Sequence, residues 1–189
     1  MSLPSRVLQY GVDAPLPEVV SLRAGRLSLE YEAGTLRHFR AGDALALAHI
    51  YPSVRDQYWN TAPAQITLLE QTIAADHFRL RFEAEHALGD VRFVWHATVT
   101  GTPDHTVTFA LDGEAQSDFL RNRIGFCVLH SSACAGQPVR VEHTDGRTEE
   151  GQFPHRVSAD KVFADVRAMT HLLAPSVSVE VRMEGETFE

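Results

Sequence analysis

The sequence predicts an all-β fold, a large two-sheet antiparallel β-sandwich with little helix. Short segments in which apolar and polar residues alternate recur along the 189 residues, and turn residues separate them. The pattern suggests roughly a dozen strands, whereas no long segment has a convincing helical period. So many short strands with so little helix pack best as two facing sheets.

Length and composition suit one large domain. The chain has 189 residues, 44% of them apolar and ten of them Phe, which is enough for a substantial core. Residues 1–17 contain Pro4, Pro15 and Pro17 without periodicity, so we predict an extended amino-terminal arm. Residues 18–189 are then predicted to form a single β-sandwich domain.

The charge balance argues against several classes of partner. The formal net charge is −8, and Lys161 is the only lysine, so nearly all positive charge is arginine. Nucleic acids and anionic membranes favour basic surfaces, so neither is predicted as a partner. Charges interrupt every apolar window well before the ~20 residues of a membrane span. Because the start lacks a basic-then-apolar signal, we expect a cytoplasmic location.

The first half of the chain contains two kinds of segment. Residues 19–23, 27–31, 36–40 and 44–50 are strand candidates at close spacing, which indicates a meander. Residues 51–61 break this pattern and are predicted to form a loop.

The predicted loop carries candidate substrate-binding residues, Tyr58 and Trp59. It also contains Arg55, Asp56 and Asn60, and aromatic plates beside polar groups suit a sugar ring. The alternative is that Tyr58 and Trp59 only fasten the loop to the body of the domain.

Later segments alternate more regularly. Residues 78–84, 91–99 and 107–111 predict three antiparallel strands with one face in water. Asp145-Gly146 predicts a hairpin with a primed turn, and residues 159–169 favour a strand over a short helix. We expect strands of this number and length to form a supersandwich of the galactose-mutarotase-like kind.

The stretch that ends at His130 departs from the alternation. Residues 124–129 are apolar without interruption, which predicts a strand buried on both faces. Arg121, Asn122 and Arg123 precede it, and arginine is rarely buried without a partner. We predict that these three residues bind substrate, where their donors would face a carboxylate or a lactone carbonyl. The structural alternative is pairing with carboxylates, those of Glu114 and Asp118 or of a neighbouring domain.

His130 and Glu150 are the candidate catalytic residues. His130 ends the apolar strand, a position that suits either a cleft or a structural contact. Glu150 lies near His143 and the Asp-Gly hairpin, where either could act as a general base. A solvated hairpin would explain Glu150 and His143 equally well.

No cofactor and no metal are predicted. The sequence lacks the motifs of serine hydrolases, nucleotide-binding proteins and zinc proteases. None of the ten histidines pairs with a carboxylate at metal-ligand spacing, although cupin-like sandwiches assemble metal sites from distant strands. Cys127 and Cys134 are too few for a disulfide scaffold or a four-thiolate zinc site.

Several motifs together resemble a known family. They are 119–130 (FLRNRIGFCVLH), 134–136 (CAG), His143, 145–146 (DG), 150–151 (EG) and 153–154 (FP), with 50–51, 54–56, Trp59 and 82–86 earlier in the chain. This pattern, from about residue 22 onward, resembles the amino-terminal region of the D-apionate lactonase family. The resemblance implies hydrolysis of a branched-sugar lactone to its open acid. It also implies a second large region beyond this one, where part of the active site could lie.

Two functional hypotheses follow. In the first, the chain is the amino-terminal β-sandwich of a sugar-lactone hydrolase of the apionolactone-to-apionate type. Arg121, Asn122 and Arg123 then orient the lactone carbonyl, and His130 or Glu150 activates water. In the second, the chain is a non-catalytic module that binds carbohydrate or docks a catalytic domain. The expected partners are a small sugar or sugar lactone and a carboxyl-terminal catalytic domain, and the sequence leaves open whether this chain is active alone.

Overall fold

The predicted all-β class is confirmed. A computed structural model describes residues 4–11, 13–156 and 162–185. Over these residues the chain forms thirteen strands, the short helix α1 (Ser5–Tyr10) and a 3₁₀ turn at Ser132–Cys134. Within the described ranges, no helix is long and apolar enough to cross a membrane.

The strands fall into three antiparallel sheets. They are β1 (Val19–Ala24), β2 (Leu27–Glu32), β3 (Thr35–Ala41), β4 (Ala44–Asp56), β5 (Ala64–Ile73), β6 (Phe78–Leu88), β7 (Val91–Gly101), β8 (Val107–Ala115), β9 (Arg121–His130), β10 (Pro138–His143), β11 (Thr148–Gln152), β12 (Val166–Ala174) and β13 (Val177–Arg182). The five-stranded sheet has the order β1-β2-β3-β4-β9, and the meander sheet runs β5-β6-β7-β8. The carboxyl-terminal sheet has the order β11-β10-β12-β13.

The five-stranded sheet and the meander sheet form the sandwich. Strands β6 and β7 bury every second side chain, as the alternation of their sequences predicts. The buried side chains of both sheets form one large core. Phe82 of β6 is fully buried and packs against Tyr31 of β2, with ring centroids 5.8 Å apart. The contact between these rings ties one layer to the other.

The carboxyl-terminal sheet contributes to two cores. Val139, Val141 and Val166 form a smaller core with Phe153. Leu173, further along β12 than Val166, packs instead against the large core. Strand β12 therefore joins this third sheet to the sandwich.

Three local predictions need correction. Residues 5–10 of the predicted arm form α1, which ends at Gly11 in the left-handed conformation (φ 77°). Residues 51–56 of the predicted loop instead extend β4, because β9 supplies their hydrogen-bonding partners. The segment 159–169 is a strand only from Val166; residues 157–161 lie outside the described ranges.

The Asp-Gly hairpin forms, but its turn is not of the primed type. Both primed turn types need positive φ at the first central residue, which here is Asp145. Gly146 has φ 84°, whereas Asp145 is not among the described residues with positive φ. The N–H of Gly146 donates to the carbonyl oxygen of His143 (3.0 Å), so the turn runs over residues 143–146, one residue earlier than predicted. Gly146 is then the last residue of the turn and has the left-handed conformation.

Candidate functional site

A turn after β4 presents two aromatic side chains to solvent. Asp56 Oδ1 accepts hydrogen bonds from the backbone N–H groups of Tyr58 (2.8 Å) and Asn60 (2.9 Å). Its Oδ2 accepts from the Asn60 side-chain amide (2.9 Å), and these bonds, the Asn60 amide first, lower the pKa of Asp56. The side chains of Tyr58 and Trp59 remain 74% and 52% exposed. The turn is thus ordered by its own carboxylate and leaves the aromatic rings accessible.

Trp59 meets two guanidinium groups. The Cζ atoms of Arg55 and Arg123 lie 5.8 Å and 5.5 Å from the centroid of the Trp59 ring. Arg123 reaches the ring because β9 pairs antiparallel with β4, with Arg121 opposite Asp56. Each contact of this kind contributes about 0.5–1 kcal/mol at an exposed position. We call Arg55, Trp59 and Arg123 the Trp59 cluster.

A groove of about 880 Å³ lies beside this turn, and Tyr58 forms part of its wall. Its walls come from the turn after β4, the β6–β7 turn and the segment before β9. The polar groups that line it are carboxylates, amides and a hydroxyl, those of Asp56, Gln57, Asn60, Thr61, Asp90 and Asp118. The apolar side chains are those of Leu88, Val91, Phe119 and Leu120. Such a mixture of aromatic and hydrogen-bonding groups suits a small hydroxyl-rich molecule.

The predicted burial of the 124–129 strand is wrong. Ile124 and Val128 pack against the large core, and the Phe126 ring lies 4.9 Å from that of Phe109. Cys127, on the other face, is half-buried, and Leu129 is 47% exposed. Strand β9 lies at the edge of its sheet and part of one face reaches solvent, which an uninterrupted apolar run does not reveal.

The three residues at the start of β9 differ in exposure. Arg121 and Arg123 are exposed and Asn122 is half-buried. Among the described residues, Arg121 forms no ion pair with Glu114 or Asp118, the structural partners considered from the sequence. Of the predicted substrate-binding residues, the structure brings Arg123 directly against Trp59.

His130 lies at the far end of the same strand. At about 3.3 Å per residue, the path along β9 from Arg123 to His130 spans roughly 20 Å. The His130 ring packs against Phe153 (4.7 Å between centroids) and His171 (5.6 Å). Burial, and secondarily His171, lower the pKa of His130 to about 4. The structure therefore does not bring His130 together with the arginines predicted to orient the substrate.

Glu150 lies on β11, in a different sheet from β9. It lies opposite Arg140 in the β10–β11 register, and its side chain is 79% exposed. His143 pairs instead with Glu149, whose Oε2 lies 3.2 Å from Nε2, while the Nδ1–H donates to the carbonyl oxygen of Ala164 (2.8 Å). His143 thus has a partner that the sequence analysis did not select.

Comparison with known proteins identifies the family. The family model described as "D-apionate lactonase, N-terminal domain" matches residues 7–189. The chain belongs to this family. A curated relative, the D-apionate lactonase of Brucella anthropi, is 34% identical over 184 residues, which cover 96% of this chain and 30% of the relative. The chain therefore spans less than a third of that relative's length. No solved structure matches it significantly.

Two sets of residues in this chain were missed by the sequence analysis. Arg55 was noted only as part of a loop, because its position against Trp59 depends on the extension of β4. Cys134 and His171 were not connected with His130 at all, because β12 is distant in sequence. The only local signal of this connection in the sequence was that the strand ends at His130, immediately before a turn that contains Cys134.

Proposed function

We propose that this D-apionate lactonase N-terminal domain binds a small sugar lactone or its open acid at the groove and the neighbouring Trp59 cluster. The observation that carries the proposal is the turn in which Asp56 holds Tyr58 and Trp59 exposed beside Arg55 and Arg123. Because hydrogen bonds fix the backbone of the turn, its exposed aromatic rings offer flat apolar surface and lose only side-chain freedom on binding.

The chemistry of the residues fits both forms of such a ligand. The apolar face of a sugar ring can stack on Tyr58 or Trp59, and its hydroxyls can bond to Asp90 and Asp118. An open sugar acid carries a carboxylate, and guanidinium groups beside Trp59, such as that of Arg55, favour a carboxylate as hydrogen-bond partner. In a chain with a net charge of −8, the two guanidiniums of the cluster provide a local site for an anion.

For this domain we propose binding rather than bond cleavage. Neither predicted base is placed to act on a lactone bound at the Trp59 cluster, since His130 lies roughly 20 Å along β9 from Arg123 and Glu150 lies on the carboxyl-terminal sheet. Asp56 is committed to the turn, and its lowered pKa makes it a weak base. On this proposal, hydrolysis requires groups supplied by the further length that the Brucella anthropi relative possesses. A cytoplasmic location remains a prediction.

Binding is testable with D-apionolactone and D-apionate as titrants. We expect either ligand to change the fluorescence of Trp59, which is exposed, while Trp95 stays buried and unaffected. Trp59→Ala is expected to weaken binding about 5- to 150-fold, since stacking and cation–π contacts contribute on the order of 1–3 kcal/mol. Calorimetry gives the dissociation constants for Trp59→Ala and Arg123→Ala.

Matched variants separate this site from the rest of the surface. Arg23→Ala removes an exposed arginine from β1, at the opposite edge of the same sheet, and Leu172→Ala removes an apolar side chain that is 71% exposed. Both should bind like the unmodified chain. Binding unchanged in Trp59→Ala and Arg123→Ala, or no binding of either compound, would refute the proposal.

One observation favours domain docking as a second function. On the outer face of β9, which is an edge strand, the apolar side chain of Leu129 is 47% exposed. If a carboxyl-terminal region packs there, this chain should co-elute in gel filtration with the separately produced remainder of the Brucella anthropi relative. Leu129→Glu should abolish co-elution, whereas Leu172→Glu should preserve it. Absence of co-elution, or indifference to Leu129→Glu, would exclude docking through this face.

A further inference from the structure

Three metal-ligating side chains converge where the sandwich meets the carboxyl-terminal sheet. His130 is the last residue of β9, Cys134 ends the 3₁₀ turn that follows, and His171 lies in β12. One ligand atom from each side chain lies within 4.8 Å of the other two. None of the three belongs to the groove or to the Trp59 cluster.

Two imidazole nitrogens at this place have no hydrogen-bond partner. Nδ1 of His130 and Nε2 of His171 are buried and unpaired within the described part of the chain. The His171 residue is only 4% exposed, and its Nδ1 has a single distant acceptor, the carbonyl oxygen of Leu172 at 3.4 Å. Leaving a polar group buried and unpaired costs about 1–3 kcal/mol. A common partner would satisfy both nitrogens.

The protonation states of the residues suit a metal ion. Burial lowers the pKa of His130 to about 4, with a secondary contribution from His171, so the His130 imidazole is neutral near pH 7 and keeps a lone pair. Burial raises the pKa of the Cys134 thiol, so a metal must displace its proton. Binding would then release a proton and strengthen as pH rises.

We propose that His130, Cys134 and His171 bind a zinc ion. Two imidazoles and one thiolate are the borderline donor set that Zn²⁺ prefers, and three protein ligands leave the fourth tetrahedral position for water. Zn–N and Zn–S bonds of about 2.0–2.3 Å place ligand atoms roughly 3.3–3.6 Å apart, so a contraction of about 1 Å completes the site. Side-chain rotation supplies such a contraction.

This assignment changes the role predicted for His130. A nitrogen that binds a metal cannot accept a proton from water, so His130 acts as a ligand rather than as a general base. The ion would also link β9 to β12, and hence the sandwich to the carboxyl-terminal sheet. The proposal is independent of ligand binding at the groove, since the two sites share no residue.

Metal content and spectroscopy test the assignment. The purified chain, freed of metal and dialysed against Zn²⁺, should retain one zinc per chain by mass spectrometry. Replacing Zn²⁺ with Co²⁺ should produce a thiolate-to-cobalt charge-transfer band in the near ultraviolet. Cys134→Ser should abolish this band and weaken zinc binding at least about 100-fold, more than loss of an outer-shell partner costs. His171→Ala should lower the affinity comparably.

The second cysteine provides the matched control. Cys127 is also free and lies on β9, outside the three-residue cluster, so Cys127→Ser should keep both the band and the affinity. Circular dichroism of metal-free Cys134→Ser should match that of the unmodified chain and so exclude unfolding. If Cys134→Ser does not fold, the Co²⁺ spectrum of Cys127→Ser decides, because Cys134 is then the only cysteine left in the chain and the thiolate band is expected to persist. No bound zinc, no thiolate band, or a band that depends on Cys127 would overturn the proposal.

Discussion

Replacing Phe82 with alanine is expected to lower the free energy of unfolding by about 4 kcal/mol. Phe82 is fully buried, and its ring contacts Tyr31 of the opposite sheet and Phe109 of β8, with centroids 5.8 Å and 6.0 Å away. Truncation removes buried apolar area and leaves a cavity between two sheets that the strands on both sides hold apart. The cavity cannot close without moving β2 or β6, so most of the cost remains.

Urea denaturation followed by the fluorescence of buried Trp95 measures this effect. Leu69→Ala, in the same meander sheet but 55% exposed, is the control and should change stability by less than about 0.5 kcal/mol. If Phe82→Ala is too unstable to purify, Phe82→Leu should still cost about 1 kcal/mol. A loss in Phe82→Ala no larger than that of the control would contradict the sandwich arrangement.

Gly25→Ala is expected to destabilise the domain by about 2–4 kcal/mol. Gly25 has φ 56°, and a Cβ built there would overlap the carbonyl oxygen of Pro103 and the ring of His105. Its N–H donates to the carbonyl oxygen of Asp76 (2.7 Å). The β1–β2 turn therefore packs against the β5–β6 turn, which contains Asp76, and against the β7–β8 turn, which contains Pro103 and His105. No room remains there for a methyl group.

Gly42→Ala isolates the backbone contribution. Gly42 has a similar φ of 62° in the β3–β4 turn, but a Cβ there meets nothing within 4 Å. It should cost only the left-handed backbone penalty of about 1 kcal/mol. The double change Gly25→Ala with His105→Ala should recover part of the loss, because it removes the ring that the methyl group meets. Recovery should stay incomplete, because the Pro103 carbonyl still obstructs the methyl group. Equal thermal unfolding midpoints for Gly25→Ala and Gly42→Ala would show that the contact between the turns is unimportant.

The regular strands could be predicted because their burial is local information. In β6 and β7 the alternation of apolar and polar residues corresponds directly to inward and outward side chains. The same reasoning failed for 51–56, since these residues extend β4 only when β9 lies beside them. It also failed for 124–129, where an apolar run does not distinguish a central strand from an edge strand.

The candidate sites depended still more on pairing between distant strands. Trp59 and Arg123 were each selected from their own segments, but their contact follows from the β4–β9 register. The proximity of His171 to His130 could not be inferred, because it requires the position of β12 relative to the end of β9. Residue type predicted which side chains can perform chemistry, whereas long-range pairing decided which of them meet.

The dual packing of β12 has a consequence for truncation experiments. A fragment that stops at Gln137 would lose Leu173, Val179 and Val181, which cover part of the large core. Removing this cover leaves a bare apolar patch on the remaining nine strands, and such patches favour aggregation. Soluble fragments are therefore expected to need the final hairpin, even when the residues of interest lie wholly in the first two-thirds of the chain.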